Sequence, residues 1–282
     1  MLASEVEELI SRALAEDIGP SDLTGDATVE AGTSARALIT QKAPGALFGF
    51  AVAEATFRRL DPLLEWEPKR EEGEWIADVP EVVVELKGDA RGLLAGERTA
   101  LNFLGHLSGV TTATALAVEA VRGTGVEILD TRKTTPGLRV LEKQAVLAGG
   151  GRNHRMGLFD AMLVKENHIA IAGGIGAATR LAIERRPHDC PVEVECRTLA
   201  DVEGALAAGA DHLLLDNMSV PELRATVDAV AGRASLEASG GVTVESIREV
   251  AGTGVQFISL GSLTHSAPAL DLSMSVEPSP GR

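Results

Sequence analysis

The sequence predicts an α/β chain in two parts: a small N-terminal α+β domain, then a parallel sheet or barrel of about six strands. Three observations carry that prediction. Short apolar runs recur after Gly125: VEIL (126–129), AMLV (161–164), VEV (192–194), HLLL (212–215), SLEA (235–238) and QFISL (256–260). The last four have centres near 194, 214, 237 and 258, an interval of 20 to 23 residues, with Ala-rich helical stretches such as LADVEGALAAG between them. A strand, a helix and minimal loops fill such an interval, and strands joined in this way run parallel. Before Gly125 no interval repeats, which suits a smaller mixed domain.

The chain opens on a helix. Ser4 and Glu7 have the spacing of a capping box, and Val6, Leu9, Ile10, Ala13 and Leu14 recur at helical spacing as far as Gly19-Pro20. EDIGPSDLTGDAT (16–28) reads as a polar loop with solvated acids. ARALIT (35–40) and VVVEL (82–86) read as strands, as does a weaker stretch around Trp75, with a helix near 51–60 between them. From Glu97 to Val121 the pattern is one long helix, rich in Gly, Ala and Thr, that lets its partners approach closely. The six later runs are fewer than the eight strands of a full (β/α)8 barrel. The domains are placed at 1–105 and 106–265, and the Pro-containing tail 266–282 is expected to return to the first.

Composition narrows the function. Of 282 residues, 41 are acidic and 26 basic, so the net charge of −15 argues against nucleic acid and anionic membrane as partners. No apolar run reaches the roughly 18 residues of a spanning helix, and the acidic, periodic start is not the pattern of a signal peptide. Aromatics are 3 % of the chain, so the core is built of Ala, Val, Leu and Ile. Cys190 and Cys196 form neither a CxxC pair nor a disulfide framework, and a reduced cytoplasm is the expected location.

Against that acidic background DTRKTTPG (130–137) puts Arg132 and Lys133 directly after an apolar strand. Residues 130–168 hold seven basic and four acidic residues, 7 − 4 = +3, while the remainder is 19 − 37 = −18. A basic pocket in an acidic protein suits a small, multiply charged anion, and Arg grips carboxylates in a bidentate fork. Each later run also ends in chemistry: Lys165, Glu166, Asn167 and His168, then Glu195, then Asp216 and Asn217, then Ser239-Gly240-Gly241, then Gly261-Ser262. The carboxyl ends of parallel strands open on one face, so these residues are expected to converge. An Arg-Lys pair is more often plain surface, Lys165 with Glu195 more often a structural ion pair, and glycine pairs more often plain turns. Two Gly/Ser turns at successive strand ends, each leading into a helix, together look like a phosphate cradle. Carboxylates facing a bound phosphate work through a divalent metal, contact hydroxyls or stabilise a cationic sugar carbon.

The stretches DTRKTTPGLR, GGGRNHRMGLFDAMLVKENH, VEVECRTL, LLLDN, LEASGG and LGSLTHS resemble, in order and spacing, the quinolinate phosphoribosyltransferase family, also called nicotinate-nucleotide pyrophosphorylase. EDIGPSDLTGDAT and GERTALNFLGHLSG extend the likeness over nearly the whole chain, and Glu166 stands where an Asp is common. The resemblance implies an N-terminal α/β domain followed by an open, type II phosphoribosyltransferase-like barrel. It implies that quinolinate and phosphoribosyl pyrophosphate give nicotinate mononucleotide, pyrophosphate and CO2, assisted by Mg²⁺, in the route to NAD. Carried over by position, Arg98, Arg132, His154, Arg155 and Lys165 would bind quinolinate, and Lys133 would lie between the substrates. Glu195 and Asp216 would contact ribose and metal, and Ser239, Gly240, Gly241, Gly261 and Ser262 would hold the 5′-phosphate. Arg98 would come from the other subunit of a homodimer with shared sites, further assembly being left open. Its place in the first turn of the helix beginning at Glu97 is a poor one for a cation, which marks it independently.

Two alternatives stay open on the sequence. A Schiff-base aldolase would use Lys133 or Lys165 as nucleophile, although the neighbouring arginines and histidines suit an anion pocket at least as well. A related phosphoribosyltransferase would take another pyridine or aromatic acid. A non-catalytic phosphate-binding protein would have less use for Lys133, Glu195 and Asp216 together.

Overall fold

The computed structural model describes residues 3–188 and 190–279. Its contacts divide the chain into two compact units, one formed by residues up to Ala113 with those from Ala267 onward, the other by Thr114–Ser266. The division falls inside a helix rather than at residue 105, and no linker composition marks it.

In the first unit α1 (Ser4–Ile18) buries Val6, Ile10 and Leu14. Its N-cap is Ala3, with no side-chain cap, so the Ser4–Glu7 capping box is not formed. The segment read as a polar loop contains a short helix, α2 (Leu23–Thr28), because Asp22 accepts hydrogen bonds from the amides of Thr24 (3.1 Å) and Gly25 (3.0 Å). Asp26 is likewise structural, 2.9 Å from Arg91. β1 (Ser34–Gln41) alternates inward and outward, with Ala35, Ala37 and Ile39 in the core. Then come β2 (Gly45–Ala46), α3 (Phe50–Arg58), β3 (Glu65–Pro68), β4 (Trp75–Ile76) and β5 (Glu81–Asp89). The long helix α4 (Ala90–Ala120) starts seven residues before Glu97, following directly on β5. Arg98 is therefore eight residues into the helix, and the dipole argument for it falls away.

Small residues on α4 work as expected. A Cβ on Gly109 would stand 2.2 Å from the carbonyl oxygen of Pro268, and Leu270 donates its amide to Gly105 O at 2.9 Å. The segment that makes this approach then forms the last strand, β12 (Leu272–Pro278), which pairs antiparallel with β1 from Ala35↔Pro278 to Gln41↔Leu272. The main sheet of this unit is antiparallel in the order β12, β1, β5, β3, over a core that includes Leu47, Phe57, Val84, Leu86, Leu93 and Leu104.

The second unit holds β6 (Glu127–Leu129), α5 (Arg139–Ala148), β7 (Met162–Val164), α6 (Glu166–Ala172), α7 (Ile175–Arg185), β8 (Val192–Cys196), α8 (Leu199–Ala207), β9 (His212–Asp216), α9 (Val220–Val230), β10 (Ser235–Ser239), α10 (Ile247–Ala251), β11 (Phe257–Ser259) and α11 (Ser262–His265). All six apolar runs are strands. They form one parallel sheet in the order β6-β11-β10-β9-β8-β7. Consecutive strands from β7 to β11 are neighbours, β6 closes onto β11, and the ladder is left open between β6 and β7 among the described residues, so the barrel is open. Ile128, Val194, Leu213, Leu215, Leu236 and Ile258 are buried, as strands covered on both faces require.

Candidate active site

A cavity of about 490 Å³ opens at the carboxyl ends of these strands. It is lined by Arg132, Lys133, His154, Arg155, Lys165, Glu195, Asp216, Ser239, Gly240, Gly241, Gly261 and Ser262, which are all the expected site residues except Arg98. Arg98 belongs to the first unit, with its side chain largely exposed and 3.9 Å from Glu97.

The basic side is built on a buried ion pair. Asp130, at the end of β6, and Lys143, on α5, are both fully buried and in contact. Burial pushes Asp130 up and Lys143 down from their ordinary values, and their contact opposes both shifts. Asp130 Oδ1 also accepts the amide of His154 (2.9 Å), and Lys143 Nζ donates to His154 O (2.9 Å). Asn153, with its amide turned to donate, reaches Asp130 Oδ2 (2.6 Å) and Lys143 O (2.9 Å). The pair thus clamps the backbone just before Arg155. His154 continues the clamp, since its Nδ1 accepts the Arg155 amide at 2.7 Å and its Nε2 faces Glu193 Oε2 at 2.9 Å. Burial lowers the affinity of His154 for a proton, while hydrogen-bonded Glu193 and the nearby Glu237 raise it by more. A second ring proton would press N–H against N–H at Nδ1, and we read the ring as neutral while this contact holds. Neither ring nitrogen is then free to donate to a substrate. Arg132 Nε is buried without a protein partner, and burial lowers Arg155, with Arg132 adding repulsion. Two partly buried guanidiniums that repel each other, one with a buried Nε left unpaired, fit an anionic ligand.

On the other side, Gly240 (φ +90°) and Gly241 (φ +64°) follow β10. Gly240 is required twice over, because a Cβ there would also sit 2.4 Å from Asn217 Oδ1. Ser239 Oγ accepts from Ser259 Oγ at 2.8 Å. The amides of Gly240, Gly241, Gly261 and Ser262 donate to no protein group among the described residues. The helix-dipole part of the expected cradle is weak: α10 begins at Ile247, well beyond Gly241, and α11 is four residues long. The anion-binding capacity lies in the loop amides.

Between the two sides, burial and the neighbouring Asp216 push Glu195 up from its ordinary value. Asp216 Oδ1 accepts from Asn217 Nδ2 (2.9 Å), and Oδ2 from Arg197 Nε (3.3 Å). Two like-charged carboxylates with hard oxygen donors suit Mg²⁺. Three contributors escaped the sequence reading. Glu237 lines the cavity floor with Oε1 buried and unpartnered, and burial together with Glu193 pushes it up to about 7. Glu193 and Arg197 bind groups that line the cavity. For Glu193 and Glu237 the available signal was a charged residue in a strand buried on both faces, which needs a partner; Arg197 follows β8 and is half exposed, and it carried no such signal. His154, Glu193 and Glu237 also have ligand atoms within 4.8 Å of one another. The raised proton affinity of Glu237 and the His154–Glu193 hydrogen bond lower the need of that group for a cation.

The family model described as quinolinate phosphoribosyl transferase, C-terminal domain, matches residues 110–275, and that for the N-terminal domain matches 22–108. A Bacillus subtilis protein named probable nicotinate-nucleotide pyrophosphorylase (carboxylating) is 42 % identical over 272 residues, covering 96 % of this chain and 93 % of its own. The crystal structure of NadC from Streptococcus pyogenes superimposes with a TM-score of 0.94 at 37 % identity, over 99 % of both chains. That of the nicotinate-nucleotide pyrophosphorylase from Francisella tularensis does so with a TM-score of 0.93 at 38 % identity, over 98 % of both.

Proposed function

The chain belongs to the quinolinate phosphoribosyltransferase family, and from that premise we propose that the cavity performs the family reaction with the residues described above. The protein is a phosphoribosyltransferase of NAD biosynthesis that uses quinolinate and phosphoribosyl pyrophosphate. One observation carries the assignment of the site: a basic cluster and a Gly/Ser cradle share one cavity, with two carboxylates between them.

The partly buried guanidiniums of Arg132 and Arg155, with Lys165, hold the two carboxylates of quinolinate and aim its ring nitrogen at the sugar. His154 contributes the orientation of Arg155. Lys133 lies between the two substrates, packed so closely on Gly261 that a Cβ there would meet its Cδ at 2.9 Å. The loop amides at Gly240, Gly241, Gly261 and Ser262 hold the 5′-phosphate. The ring nitrogen forms a bond to C1 of the ribose as the bond to pyrophosphate breaks, and Glu195 and Asp216 stabilise the positive charge developing on the sugar. The nitrogen is then cationic, so the electron pair left at C2 when CO2 departs is stabilised next to it before a proton takes its place.

Mg²⁺ belongs to the proposal, with Glu195 and Asp216 as the groups that would hold it, and it would neutralise charge on the departing pyrophosphate. So does a homodimer in which Arg98 completes the quinolinate pocket of the other subunit. A cytoplasmic location is supported by both cysteines being free thiols; no helix among the described residues is long and apolar enough to cross a membrane.

The test is an assay with phosphoribosyl pyrophosphate and either quinolinate or nicotinate. Nicotinate has one carboxylate, so it leaves part of the cationic cluster without its charge-assisted hydrogen bonds, at a cost of about 1.5–3 kcal/mol. Release of pyrophosphate and CO2 from quinolinate alone is expected. Turnover of nicotinate at a comparable kcat/KM would refute the two-carboxylate pocket.

A further inference from the structure

Arg197 stands at the meeting point of three loops. Arg197 directly follows β8; its guanidinium touches Glu166 at the start of α6, lies 3.3 Å from Asp216 Oδ2 at the end of β9, and lies 3.9 Å from Glu195 Oε1 near the end of β8. Three carboxylates from three successive strand ends thus share one guanidinium. Glu195 and Asp216 are mostly buried, whereas Arg197 is half exposed. Asn217 already occupies Asp216 Oδ1, and Arg197 takes the other oxygen. The Arg197 backbone is fixed separately, since its amide donates to Asp201 Oδ2 (3.1 Å) in the cap of α8. The side chain can therefore leave the carboxylates without disturbing strand or helix.

We propose that Arg197 is a built-in counter-cation: in the ligand-free enzyme it occupies the Glu195–Asp216 pair, and a divalent cation gains both carboxylates only by displacing it. The idea rests on the reading of Glu195 and Asp216 as the metal-facing pair. Two like charges held close in a partly buried site repel until a cation lies between them, and Arg197 supplies one when no metal does. A guanidinium cannot lose its proton, so it can only move aside. The consequence is a free enzyme with weak affinity for the bare cation, which then enters best together with the pyrophosphate-bearing substrate, whose added negative charge favours its entry.

The experiment is titration of full-length protein with Mn²⁺, read by loss of the free-ion EPR signal, with no substrate present. Arg197→Gln removes the charge and keeps a polar side chain, and it is expected to bind Mn²⁺ about three- to ten-fold more tightly than the parent, the effect of losing one or two half-exposed ion pairs. Arg197→Lys, which keeps the charge, should stay within about two-fold of the parent. Asp216→Asn in the Arg197→Gln background should abolish the gain. If Asp216→Asn abolishes Mn²⁺ binding while Arg197→Gln leaves it unchanged or weaker, the metal-facing pair stands and the counter-cation role is overturned. If Mn²⁺ binding is indifferent to both Asp216→Asn and Glu195→Gln, the metal-facing pair fails and the role fails with it.

Discussion

A carboxyl group on the floor of an anion-binding cavity needs a reason not to repel the ligand. Glu237 has one, because burial and the neighbouring Glu193 raise it to about 7 from an ordinary 4.5. Glu193 on β8, His154 before Arg155, Ser259 on β11 and Asp130 just after β6 all face it. The folded state therefore holds the Glu237 proton more tightly than the unfolded chain does. That contribution is fully present below about pH 4.5 and is lost as pH rises through about 7. Glu237→Gln mimics the protonated form at every pH. Its stability relative to the parent is expected to improve between pH 4.5 and 8 by up to about 3 kcal/mol, the order of free energy that holds a carboxyl at about 7 instead of an ordinary 4.5. Urea denaturation of both proteins across that range checks it, and a constant difference between them would show that Glu237 does not titrate in this window. The sequence did not disclose this residue. LEAS reads as an ordinary strand, and a carboxyl in it looks outward-facing until β9 and β11 are seen to flank it.

At the scale of elements, the site is a product of strand ends and of one clamp. Every strand end that carries Lys, Glu, Asp or Gly-Ser was legible, because a parallel βα rhythm forces those ends onto one face. Elements without an apolar run were not. β3 (EWEP) and β12 (LSMSVEP) lie at the two edges of their sheet, where side chains stay mostly half-exposed or exposed and no alternation stands out. The start of α4 was missed because ARGLLAG follows β5 without a break that composition could mark. The Asp130–Lys143 clamp was invisible for a different reason: thirteen residues separate its partners, and only the α5 crossover brings them together. The clamp yields its own test. Lys143→Met leaves a buried carboxylate unpaired and is expected to cost about 3–5 kcal/mol, whereas Asp130→Asn with Lys143→Met removes both charges and should recover part of that loss. The double variant still loses the Lys143 Nζ bond to His154 O and one of the two acceptor oxygens of residue 130, so its KM for quinolinate should rise about ten-fold, the scale of one hydrogen bond to a charged group. Its KM for phosphoribosyl pyrophosphate should stay within about two-fold. Equal effects on both constants would mean that the clamp supports the barrel in general rather than Arg155.

Over the whole molecule the charge is divided, +3 within residues 130–168 and −18 elsewhere, so the acidic surface repels anions except at one cavity. All the expected site residues but one line that cavity. Arg98 lies in the other compact unit, inside α4, with a largely exposed guanidinium 3.9 Å from Glu97. If it enters the quinolinate pocket of a second copy, every site is shared, and a subunit alone should be nearly inactive. Two inactive variants, Arg98→Ala and Lys133→Ala, separate the possibilities when their subunits are allowed to exchange. In a mixed dimer one site inherits both defects, while the other combines an intact barrel with an intact Arg98 from across the interface. Random pairing makes about half of the dimers mixed, each with one good site, so about a quarter of parental activity should return. If Arg98 acts within its own subunit, each site of a mixed dimer still carries one defect and nothing returns. Mixed dimers demonstrated by native mass spectrometry, without recovery of activity, would rule out the shared site and leave the quinolinate pocket to be completed within a single chain.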